Sequence, residues 1–157
     1  MPPMNTESNL NEAIGAVLRQ LQKNWDRMDL KAMAGLWDTS DPEPFYLPEE
    51  VDQPLRDWDA IHAYWNKTME LIPRLKMRIW DVKADPVSDD LAWVSYQFHW
   101  DAVAEGYDKP VGADNRAVAL FRKLPEGWRI CRYVEAPLAP ILYMRKLYEN
   151  SVEADFS

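Results

Sequence analysis

The sequence predicts an α+β fold: helices first, then an antiparallel sheet of long strands, then a closing helix. Three observations carry this. Between Leu10 and Leu71 apolar residues recur three and four apart, the period of a buried helix face. From Arg74 to Ala136 the period changes to two, the alternation of a half-buried strand. Within that region Leu124-Pro125-Glu126-Gly127 separates two β-rich runs, and its Pro and Gly supply a fixed φ and a permissive φ for a tight reversal.

In chain order, residues 1–8 are Pro-rich and polar and are expected to be a flexible end. A first helix begins at Asn9 or Asn11, with Leu10, Ile14, Val17, Leu18, Leu21 and Trp25 on one face. Asp29 is a candidate N-cap for a second helix, Leu30 to Trp37, which ends in the turn residues Asp38-Thr39-Ser40-Asp41-Pro42. Phe45-Tyr46-Leu47 reads as a short strand closed by Pro48. Asp57 caps a third helix that buries Ile61, Tyr64, Trp65 and Thr68 and stops at Pro73. Strands follow at Arg74 to Ala84 and Leu91 to Ala102, joined by a turn at Pro86 to Asp90. A longer loop spans Ala104 to Asp114, and the hairpin arms run Arg116 to Lys123 and Trp128 to Ala136. A last helix, Pro137 to Asn150, is apolar around much of its circumference, and residues 151–157 form a flexible tail. Residues 9–150 thus read as one domain.

The net charge of −8, from 26 acids against 18 bases, argues against a phosphate-backbone partner. No apolar run approaches the ~20 residues of a membrane-spanning helix, and the N-terminus lacks the pattern of a signal peptide. The single Cys131, placed mid-strand, suggests a buried thiol in a reducing, cytoplasmic setting. Two separated histidines and one cysteine offer no metal-ligand spacing, and no Gly-rich loop opens a helix after a strand. Neither a metal nor an organic cofactor is expected.

The candidates for chemistry lie mostly on the sheet. Arg116 and Arg122 share a strand face with Val118 and Leu120. By strict alternation Arg132 shares one with Ile130, Val134 and Ala136, opposite Tyr133 and Glu135. Guanidinium groups on mostly apolar faces are costly unless paired or holding a ligand, so Arg116 and Arg132 are expected in a cavity. Glu135 would pair with one of them in a structural role. His99, in the strand Ser95-Tyr96-Gln97-Phe98-His99-Trp100-Asp101, is a candidate general acid or base if it faces the cavity; on the other face it is a solvent or interface histidine. His62 reads as a surface group, and Asp38 as an exposed turn residue. Tyr46 is a candidate donor to a developing oxyanion, as is Tyr133. Eight Trp and seven Tyr suit a well-filled core and also a flat aromatic ligand. Trp25, Trp37, Tyr64, Trp65, Arg132, Tyr133 and Tyr143 are the residues expected to hold it.

The hairpin, Arg116 to Lys123 followed by Glu126-Gly127-Trp128-Arg129-Ile130, resembles that of the nuclear transport factor 2-like superfamily, whose bacterial members include SnoaL-like polyketide cyclases. The segment from Trp37-Asp38 through Phe45-Tyr46-Leu47-Pro48 to Ala60-Ile61-His62-Ala63-Tyr64-Trp65 is similar to that family's entry segment. The resemblance implies a cone: a curved antiparallel sheet wrapped around N-terminal helices, closed by a C-terminal helix. It also implies a deep pocket, a homodimer through the outer sheet face and cofactor-independent acid–base chemistry. The steroid isomerase branch is disfavoured, because Leu21 and Leu47 stand where its tyrosine and carboxylate would. The C-terminal Val134 to Glu149 looks like that of members acting on lignin-derived diaryl compounds. That likeness implies a lyase releasing formaldehyde from a diarylpropane to give a stilbene. A dehydratase, cyclase or isomerase is the nearer enzymatic rival, and a non-catalytic ligand-binding module the other.

Overall fold

The structure, a computed structural model, describes residues 6–138, 145 and 148–156. Helix α1 (Thr6–Asp26) leads into a 3-10 helix (Leu30–Leu36), strand β1 (Phe45–Leu47) and helix α2 (Trp58–Leu71). Four long strands follow: β2 (Arg74–Pro86), β3 (Leu91–Val103), β4 (Val111–Leu124) and β5 (Gly127–Pro137). They form one sheet in the order β1-β5-β4-β3-β2, antiparallel except where β1 runs parallel to β5. Of the expected last helix, Arg145 and residues 148–150 are helical; Tyr143 lies outside the described residues.

Local sequence explains the elements. Asp57 caps α2, its Oδ1 accepting the Ala60 N–H at 2.7 Å. Pro73 lacks the donor needed to continue that helix. The segment before β1 differs from expectation: it coils as a 3-10 helix, and Asp29 makes no side-chain cap bond. Its buried residues Leu30, Met33 and Leu36 are spaced three apart, which stacks them on one face of a helix with three residues per turn. In the β4–β5 hairpin Pro125 and Glu126 form the turn, and Gly127 takes a φ of +123°, which few other residues tolerate.

Helix α1 lies along the free edge of the sheet. Its apolar face buries Ile14 and Leu18, and Leu18→Ala is expected to cost about 2–5 kcal/mol. Its polar side does different work. Asp26 Oδ1 accepts the Met77 N–H at 2.7 Å, Gln22 Oε1 accepts that of Ile79 at 3.0 Å, and Asn11 Oδ1 accepts that of Ala84 at 3.2 Å. Backbone donors of edge strand β2 that would otherwise invite another strand are thereby occupied.

Two bulges curve the sheet and reset its faces. One extra residue enters β2 between Trp80 and Lys83, where Asp81 has a φ of +55°. The other is Cys131: Leu120 pairs with Arg132, but Phe121 pairs with Ile130. Bulges increase local twist and bend the strand. The second also overturns the strict alternation expected along β5, since Ile130, Tyr133 and Glu135 end on the concave face and Arg132 on the other. Cys131 is buried, and its thiol donates to the Leu120 carbonyl at 3.2 Å. Among the described residues no helix is long and apolar enough to cross a membrane.

Candidate functional site

The concave face is cut for space. The inner faces of β2 and β3, with Leu75, Met77, Phe98, Trp100 and Ala102, border a hollow that Glu135 of β5 reaches. Helix α2, the end of α1 and the segment after β1 close it into a cavity of about 390 Å3, enough for a two-ring compound. Its walls are apolar and aromatic, with Trp25, Tyr64, Phe98, Trp100 and Tyr107 among them. Among the described residues, the ionisable carboxyl groups on its lining are those of Glu49, Glu50, Glu105 and Glu135, and no Lys or Arg joins them.

Three of these carboxylates are held from different elements. Glu135 projects from β5; its Oε2 accepts the backbone N–H of Glu49 at 2.9 Å, and its Oε1 accepts the Tyr133 hydroxyl at 3.0 Å. The Glu49 carboxylate accepts from the side-chain amide of Asn115, a fully buried residue of β4. Tyr64 of α2 donates to Glu50. Pro48 ends β1 and turns the chain so that two glutamates meet the third.

Burial pushes the carboxyl of Glu135 up to about 8, reinforced by Glu50 and Glu49, against hydrogen bonds from the Glu49 backbone and Tyr133. Glu135 is therefore mainly protonated at neutral pH. Burial and then Glu50 also raise Glu49, opposed by a hydrogen bond from Trp100. The phenols of Tyr46, Tyr64, Tyr96 and Tyr133 are raised in the first place by burial and stay neutral. Two carboxyl groups thus line one cavity, both raised chiefly by burial and each feeling the other residue's charge or hydrogen bond.

Behind the cavity lies a packed aromatic floor. Trp37 meets Tyr46, Trp58 and Trp65 edge-on at 5.6, 5.9 and 6.5 Å between ring centroids. Tyr133 lies tilted against it at 6.4 Å. A void of about 10 Å3 remains among these rings. Of the expected ligand-holding residues, Trp25 and Tyr64 line the cavity, while Trp37, Trp65 and Tyr133 support it from below. Tyr46 belongs to this floor as well: it is buried on β1 and lines the small void.

The other expectations need correction. His99 and Arg116 point away from the cavity, on the outer face of the sheet. His99 sits between Asp114 (2.8 Å from Nδ1) and Asp101 (3.1 Å from Nε2), which raise its pKa through hydrogen bonds. Arg116 donates to the carbonyls of Ala136 and Pro137 at 3.1 and 3.4 Å. Arg132 also faces outward, its guanidinium held by Asp41 Oδ2 at 2.6 Å. Asp38 is not an exposed turn residue; it is buried and paired with Arg122. The two arginine pairs pin the loop after the 3-10 helix to β4 and β5, so these guanidinium groups meet their charge requirement with aspartates rather than with a ligand. Asp38 and Asp41 are nevertheless lowered in pKa: burial raises each, but hydrogen bonds from Ser40 and Arg122, and from Arg132 and Glu43, outweigh it. Among the described residues Glu135 pairs with no arginine, and its charge neighbours are the glutamates Glu50 and Glu49. His62 is exposed on α2, as expected. Among the described residues no group of three His, Cys, Asp or Glu side chains is arranged to hold a metal ion.

The residues that reading by alternation missed are Glu49, Asn115, Trp100 and, as a cavity group, Glu135. A usable signal was the alanines of β4. Ala113, Ala117 and Ala119 mark one parity as the hollow side, opposite Arg116 and Arg122.

A family model described as a SnoaL-like domain matches residues 14–140. No protein of curated function matches the chain. Among solved structures, a protein from Streptomyces avermitilis, provisionally named a dehydratase of the NTF2-like family, superposes with a TM-score of 0.74 at 17% identity, covering 85% of this chain and 99% of that one. One from Novosphingobium aromaticivorans, provisionally named a scytalone dehydratase, gives 0.73 at 15% identity over 86% and 89%. A hexachlorocyclohexane dehydrochlorinase gives 0.70 at 8% identity over 82% and 84%. At such identities the likeness is one of fold.

Proposed function

The chain belongs to the SnoaL-like family, and on that premise we propose that it is a lyase for an uncharged, hydroxylated aromatic small molecule, with Glu135 as general acid and Glu49 as general base. The observation that carries this reading is the pair itself. A protonated Glu135 and an ionisable Glu49 share one aromatic-walled cavity, and a backbone hydrogen bond joins the two residues. Raising a carboxylate's pKa makes it a stronger base, and keeping a neighbour protonated supplies an acid at the same pH. The aromatic walls suit aryl rings, and the four glutamates among the described lining residues favour ligands that donate hydrogen bonds and disfavour anionic ones. These features stand in place of the cavity arginines, Arg116 and Arg132, expected from the sequence.

The specific reaction we assign for testing is deformylation of a diarylpropane bearing a primary alcohol and a benzylic hydroxyl. Glu49 takes the proton of the primary alcohol. The adjacent carbon–carbon bond breaks, formaldehyde leaves, and its electron pair becomes the new carbon–carbon double bond. Glu135 protonates the benzylic hydroxyl, which departs as water and leaves a stilbene. Dehydration of a related alcohol uses the same two groups, the base then taking a C–H proton. We also propose that a second copy of the chain covers the outer sheet face, where Trp93 is 47% exposed.

Incubating the protein with neutral diaryl alcohols and measuring formaldehyde and stilbene absorbance tests the assignment. Product is expected from the wild type, with a loss of about 10²–10⁴-fold in Glu135→Gln and in Glu49→Gln. Water loss without formaldehyde would move the assignment to a dehydratase. Tight aromatic binding with no product across the panel would leave a ligand-binding module and end the enzymatic reading.

A further inference from the structure

The oxygens of Glu135 have unlike partners. Oε2 accepts a backbone N–H, from Glu49 at 2.9 Å, and a backbone N–H can only donate. Oε1 faces the Tyr133 hydroxyl at 3.0 Å, and Tyr133 is joined in turn to the Tyr96 hydroxyl at 3.1 Å. A hydroxyl can donate or accept, so the Tyr133 side is where the environment can adapt to a proton. Both tyrosines are buried, 3% and 5% exposed, which shields the chain from competing water.

We propose that Tyr133, backed by Tyr96, is a positioning residue for Glu135: the two hydroxyls form a donor chain that points toward the carboxylate and steadies it once its proton has been given up. This rests on the assignment of Glu135 as the acid. With Glu135 ionised, Tyr96 donates to Tyr133 and Tyr133 donates to Oε1. No phenol ionises. The carboxylate then keeps a donor on each oxygen, the Glu49 N–H on Oε2 and the Tyr133 hydroxyl on Oε1. Among the described residues, the other titratable groups facing Glu135 are Glu49 and Glu50 from the segment after β1, Tyr46 from β1 and Tyr64 from α2.

The test is the infrared carboxyl band of protonated Glu135, assigned by its loss in Glu135→Gln and followed against pH. Tyr133→Phe removes a donor that the ionised form needs, so the midpoint should rise by about one pH unit. Tyr96→Phe leaves that donor but removes the hydroxyl that donates to it from behind, so the midpoint should rise by less. Two graded rises, the larger in Tyr133→Phe, are the signature of the donor chain. A fall in either folded variant, or no shift in Tyr133→Phe, would overturn it; if Tyr133→Phe fails to fold, a fall or no shift in Tyr96→Phe does so. The band reports on Glu135 whether or not a substrate turns over, so this result and the assignment of the reaction can fail separately. Where turnover is found, the alkaline limb of kcat should move with the midpoint in each variant.

Discussion

The two faces of the sheet each hold a titratable group whose pKa is raised, and they do so for opposite reasons. On the outer face His99 is raised chiefly by hydrogen bonds to Asp114 and Asp101, which favour its charged form. On the inner face Glu135 is raised chiefly by burial, which disfavours its charged form. His99 has its charge matched at the edge of solvent. Glu135, half-buried at the cavity wall, has its charge suppressed by desolvation and by the neighbouring Glu50 and Glu49. Only the second arrangement keeps a proton inside the cavity, and under the proposed function that is the proton the reaction uses.

The sharpest way to break this comparison is pH-dependent stability. Glu135 has a folded-state pKa above its unfolded value, so its stabilising contribution is present below about 4.5 and lost as pH rises through about 8. One such group gives a slope of at most ~1.4 kcal/mol per pH unit within that window. Denaturant midpoints of the wild type should therefore fall between pH 5 and 8 relative to those of Glu135→Gln, whose amide does not titrate. Parallel curves would show that burial does not hold the proton.

A smaller effect is expected where the outer arginines meet buried aspartates. Asp38→Ala leaves Arg122 without its main partner and should cost about 2 kcal/mol in urea unfolding. It should leave ligand binding in the cavity unchanged, since the pair serves the loop rather than the hollow. A change in binding with unchanged stability would place these arginines in the site after all.

The smallest effects belong to the outer face. His99→Asn and Arg116→Ala should leave turnover within about twofold, because neither side chain reaches the cavity. His99 is also raised in the folded state; its contribution is present below about 6.5 and fades as pH rises through its folded value. His99→Asn should remove that shallow component of the stability profile and nothing more. A tenfold loss of turnover in either variant would erase the contrast between the faces.

Much of the architecture followed from local rules. The stripe from Leu10 to Trp25, the Asp57 cap and the reversal at Pro125 to Gly127 were legible because each depends on residues within one or two turns of each other. The extents of β1 and of most of β3 followed likewise from alternation and Pro stops. The site did not. One extra residue, Cys131, exchanges the faces of β5, moving Arg132 out and bringing Tyr133 and Glu135 in; alternation cannot reveal that, because a bulge depends on the partner strand.

By itself the sequence determined the order of helices and strands, the long hairpin and an aromatic-rich interior, all set by short-range periodicity. Tertiary structure alone decided which charges met. It brought Glu49 from the segment after β1 beside Glu135 of β5 and gave the arginines to Asp38 and Asp41. Proton affinity in a carboxyl group depends on what displaces water around it, and those neighbours come from distant parts of the chain.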